Sequence, residues 1–64
     1  MLKNKLKECR MRSHLTQTEL AVKSGVSRNT ISKIENNEEI TVSTKTIAKL
    51  AEALSANPSD IFLF

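Results

Sequence analysis

Few side chains in this 64-residue sequence could do covalent or metal chemistry. Cys9 and His14 are the only soft ligands besides the two methionines, too few to assemble a metal cluster. The histidine has no serine–acid set to work with, no two carboxylates are spaced for acid–base catalysis, and no glycine-rich loop could cradle a nucleotide. These residues argue against an enzyme, and nothing in them asks for a cofactor or a small-molecule ligand. What remains is a group of hydrogen-bond donors at helical spacing: Arg28, Asn29, Ser32 and Lys33. Val26, Ile31 and Ile34 would take the inner side of the same helix and leave those four on its outer face. Arginine and lysine donate to guanine O6 and N7, and asparagine pairs with adenine N6 and N7. Such a face suits the reading of base edges in a major groove.

Two short helices must position that face. Thr16 with Glu19 forms a capping-box pattern that opens a helix over Gln17 to Lys23 or Ser24. Gly25, the only glycine, suits the left-handed turn that ends it. Ser27 is then placed to cap a second helix running from Arg28 to about Asn36. Two helices joined by a short glycine-containing turn are the pattern of a helix-turn-helix. Gln17, at the first turn of the leading helix, is expected to be exposed beside free backbone N–H groups, where it could hold a phosphate oxygen.

The rest of the chain reads as support. Leu2, Leu6 and Cys9 share one side of a helix predicted from Leu2 to about Ser13, with Cys9 as a core thiol. Ile47, Leu50, Ala51 and Leu54 form the inner side of a helix capped by Ser43 and running from Thr44 to Ala53 or Leu54. Asn57-Pro58-Ser59-Asp60 is a compact start signal for a last short helix. One short turn cannot point Ile61, Phe62, Leu63 and Phe64 all inward, so part of this apolar ending is expected to be exposed and available to a second copy. The expected architecture is all-α, a single compact five-helix bundle.

Charge is uneven along the chain. Residues 1–35 carry eight basic and three acidic groups, whereas residues 36–64 carry two basic and four acidic. The basic half contains the two-helix motif, which points to a polyanion on one side of the molecule. No apolar run is long enough for a signal peptide or a membrane span, and a single cysteine suits a reducing compartment. The expected location is cytoplasmic, at the nucleoid through DNA.

Residues 15–36, LTQTELAVKSGVSRNTISKIEN, resemble the helix-turn-helix of phage repressors and Cro proteins, the XRE family. The resemblance extends back through Leu6, Cys9 and Arg10 and forward to Asp60-Ile61-Phe62. It implies a lambda-repressor-like domain that binds double-stranded operator DNA, usually as a homodimer. By position, Arg28, Asn29, Ser32 and Lys33 would face the major groove, while Gln17, Thr30 and Asn36 would lie at the DNA backbone. Arg10 and Glu35 would form a structural pair from the first helix to the end of the third, away from DNA. The resemblance also implies dimerisation through the C-terminal segment, Ile61, Phe62, Leu63 and Phe64.

Three departures stand out. Asn37 replaces a frequent glycine, Val42 replaces a frequent proline, and Glu38 and Glu39 put negative charge where relatives often approach phosphates. The reading is a transcriptional regulator, with repression of an inverted-repeat operator as its leading form. An antitoxin with a toxin partner and a restriction–modification controller share the fold. A protein-interaction module without DNA binding is the rival of a different class.

Overall fold

Leu6, Leu20, Ile31, Ile34, Leu50, Ile61 and Phe62 are fully buried, and Val26, Ile47, Ala51, Ala53 and Leu54 complete one core. A computed structural model describes residues 3–38 and 41–63, the side chains of Lys3 and Leu63 excepted. In chain order its elements are β1 (Lys3–Asn4), α1 (Leu6–Arg12), α2 (Gln17–Ser24), α3 (Arg28–Glu35), α4 (Thr44–Ala53), α5 (Pro58–Ile61) and β2 (Phe62–Leu63). α2 lies against both α3 and α4, α1 meets α3, and α5 closes on α4.

Side-chain caps start the helices where the sequence places them. Thr16 Oγ1 accepts the Glu19 N–H at 3.0 Å, and Glu19 Oε1 accepts the Thr16 N–H at 2.9 Å. Ser27 and Ser43 cap α3 and α4 by accepting from Thr30 N–H at 3.2 Å and Thr46 N–H at 3.1 Å. Pro58 stands at the front of α5, and Asp60 Oδ2 accepts the Asn57 N–H at 3.1 Å.

Three helices end in the same six-residue turn. After α1, α3 and α4 the residues His14, Asn37 and Ser55 take φ of 58°, 58° and 52°. In each case the next N–H reaches back to a carbonyl five residues earlier: Leu15 to Arg10, Glu38 to Lys33 and Ala56 to Ala51. These are Schellman turns built without glycine. α2 ends instead at Gly25, φ 75°, whose N–H donates to the Ala21 carbonyl at 2.9 Å. Nothing lies within 4 Å of where a Cβ would stand, so the backbone angle and not crowding favours glycine there.

Three expectations are corrected. The first helix begins at Leu6, not Leu2, because Asn4 Oδ1 accepts the Leu6 N–H at 3.0 Å and the chain before it is extended. That segment pairs antiparallel with the end of the chain, Lys3 with Leu63 and Asn4 with Phe62, so the helical bundle also carries a two-stranded ribbon. Leu2 lies outside the described residues. The second correction concerns the apolar ending. Ile61 and Phe62 are 0% and 1% exposed, so they belong to the core of one chain and not to an exposed surface. The backbone passes from helix to extended at Phe62 (φ −109°, ψ 125°), and this change of direction lets both neighbours turn inward. The Leu63 side chain and Phe64 lie outside the described residues. Cys9 is half-buried against the core, in place of the fully buried thiol expected.

Candidate nucleic-acid interface

α3 divides cleanly into two sides. Ile31 and Ile34 are fully buried, and Val26 just before the helix is 8% exposed. Arg28, Asn29 and Lys33 are exposed on the opposite side, with Ser32 half-buried between them. Arg28 with Ser32 and Asn29 with Lys33 are four positions apart, so the donors form two adjacent rows on the side away from the core. Thr30 is half-buried at the flank, and its hydroxyl lies 2.8 Å from that of the capping Ser27. Asn36, exposed, follows at the end of the helix.

The finish of α3 is held by a buried charge network. Glu35 accepts from Arg10 twice, from Nε at 2.7 Å and from Nη2 at 3.2 Å, and from Gln17 Nε2 at 3.1 Å. Arg10 Nη1 donates onward to the Leu15 carbonyl at 2.6 Å. The two charged side chains are 12% and 3% exposed, so the pair is nearly dry and its hydrogen bonds are well shared out. Glu35 thereby joins α1, α2 and α3 at one point. Gln17 was expected to be exposed. It is half-buried, because Glu35 draws its amide toward the end of α3. This bond takes one of the two amide protons of Gln17 and ties it to the residue that precedes Asn36 in the chain.

Asn4 adds a second hold that sequence reasoning missed. Its Nδ2 donates to the Ile34 carbonyl at 2.9 Å and to Asn37 Oδ1 at 3.2 Å, while its Oδ1 caps the start of α1. An asparagine two residues before a helix is a recognisable cap signal. Its tie to a residue thirty positions away has no signature in the sequence.

The Thr16 backbone N–H, and then the Thr16 side chain, hold Glu19 below its ordinary value. Glu38 is exposed just past α3, and Glu39 lies outside the described residues. Among the described residues no group of three or more His, Cys, Asp and Glu could hold a metal, and no helix is long and apolar enough to cross a membrane.

A helix anchored by its apolar side and by Glu35, with its donors outward and a capped helix laid across it, defines a helix-turn-helix DNA-binding domain. The helix-turn-helix family model matches residues 6–61. The HTH-type transcriptional regulator MJ0272 of Methanocaldococcus jannaschii is 43% identical over 63 residues, 98% of this chain and 94% of its own length. The HTH-type transcriptional regulator RghRB of Bacillus subtilis is 51% identical over 49 residues, 77% of this chain, which corresponds to only 35% of that protein. The crystal structure of the restriction-modification controller protein C.AhdI from Aeromonas hydrophila superposes with a TM-score of 0.78 at 36% identity, covering 86% of this chain and 82% of the controller. The chain belongs to the XRE-type helix-turn-helix family of sequence-specific DNA-binding regulators.

Proposed function

We propose that this protein is a transcriptional repressor that binds an inverted-repeat operator as a homodimer, with α3 of each copy in successive major grooves. The observation that carries the reading is the sharing of Arg28, Asn29 and Lys33 on the exposed side of a helix whose other side is locked into the core. Arg28 and Lys33 read guanine edges, Asn29 reads adenine, and Ser32 assists. Gln17, Thr30 and Asn36 hold the DNA backbone and set register. Since Ile61 and Phe62 are interior, they do not supply the contact between copies.

Selection from a randomised duplex library tests this directly. Recovery of a two-fold symmetric sequence, lost on Arg28→Ala or Lys33→Ala, is the expected result. Enrichment of nothing, with residual binding that fades uniformly with salt, would sink it.

The likeness to C.AhdI favours a second reading within the same chemistry, control of a restriction–modification system. Its test is whether the selected operator lies upstream of adjoining endonuclease and methyltransferase genes; an operator elsewhere removes it.

A further inference from the structure

α3 is fastened at its two ends by unlike means. Its start is held by the local Ser27 cap. Its finish is held through the Glu35 side chain by Arg10 and Gln17, and at the Ile34 carbonyl by Asn4. A glutamate side chain has three rotatable bonds and leaves slack between carboxylate and helix axis. A bond to a main-chain carbonyl acts on the helix itself. Asn4 meanwhile accepts from Leu6 N–H, donates to Asn37 Oδ1, and has its own backbone in β1 opposite Phe62. The ribbon, the head of α1 and the tail of α3 therefore meet at one amide.

We infer that Asn4 is a positioning residue for base reading: it sets the pose of the far end of α3, where Lys33 lies, without touching nucleic acid. The inference rests on the DNA-reading function proposed above. Because the near end of α3 is capped independently, loss of the tie lets the helix swing about Ser27. Lys33 is displaced far more than Arg28.

The two halves of the amide can be separated chemically. Asn4→Asp keeps an acceptor for Leu6 N–H, loses both donated bonds, and sets a negative charge against the carbonyl end of α3. Asn4→Ser keeps a short cap for Leu6, cannot span to Ile34, and adds no charge. The experiment is the duplex selection repeated with both variants, each verified as folded by circular dichroism in the cold. Arg28→Ala and Lys33→Ala mark which base pairs depend on each end of α3. Both Asn4 variants should lose about tenfold in discrimination at the Lys33-dependent pairs and keep it at the Arg28-dependent ones. Equal loss at both sets, or none at either, overturns the inference. Failure of both variants to fold also overturns it, since Asn4 would then serve the fold alone. A wild type that enriches no sequence counts against the DNA reading itself. Amide exchange over residues 36–38 then decides the tie: faster exchange in folded Asn4→Ser supports it, and unchanged exchange rejects it.

Discussion

Arg28, Asn29 and Lys33 stand exposed on a helix whose inner side is buried and whose two ends are held by hydrogen bonds. Truncating Arg28 or Lys33 to alanine should therefore cost ~1–3 kcal/mol at the base pair each one reads and relax preference there, measured by anisotropy titration on matched and mismatched duplexes. On the proposed phosphate role Gln17→Ala should weaken all duplexes alike, since phosphate contacts carry no sequence, and it also removes a hydrogen bond from Glu35, which a urea melt of the same variant would read. The outer face of α3 was legible in the sequence, since a period of 3.6 sorts apolar from polar without knowledge of the neighbours. The engagement of Gln17 by Glu35 was not legible, because it depends on where two helix ends meet in space. The same holds for Asn4, whose local cap has a signature and whose distant bond has none.

At the scale of elements, helix boundaries came through well, to within a residue or so, for α2, α3 and α4, as did the start of α5. Each start is set by a side chain a few positions from the backbone group that it caps, so the information is local. α1 is the exception, because two-residue strands have no periodicity to read. The helix ends offer a test of strain. His14, Asn37 and Ser55 occupy the left-handed region that side chains other than asparagine adopt at a cost. Ser55→Gly should stabilise the fold by ~0.5–1 kcal/mol in urea unfolding, and Asn37→Gly by less. The Arg10–Glu35 pair behaves in the opposite way. Arg10→Met alone strands a nearly buried carboxylate and should cost ~3–5 kcal/mol, whereas Arg10→Met with Glu35→Leu should recover most of that loss. A double mutant as unstable as the single one would show that the pair's worth lies in its geometry and not in its charge balance.

Across the whole molecule, a chain of 64 residues has little reserve, and the apolar residues at its end supply part of the single core. Phe62→Ala should cost ~3–5 kcal/mol and leave the protein largely unfolded at body temperature by circular dichroism. Acid should also loosen the fold through Glu19. Its folded pKa lies below the ordinary carboxylate value, so its contribution is present above that value and is lost as pH falls through the lowered one. A thermal melt series in acid should therefore slope more steeply for the wild type than for Glu19→Gln, which keeps the reciprocal cap without the titration.

The pairing of Lys3–Asn4 with Phe62–Leu63 has a consequence for synthesis. It joins residues 3–4 to residues 62–63, far apart in sequence, so it is slow to close. A nascent chain can form its earlier helices before Ile61 and Phe62 emerge from the exit tunnel, and these two enter the core only after that. The tail of α3, tied to Asn4, gains its full set of restraints only once the ribbon has closed. Products truncated before Ile61 lack both the ribbon and two core side chains, Ile61 and Phe62, and should unfold at far lower urea than the chain that carries them.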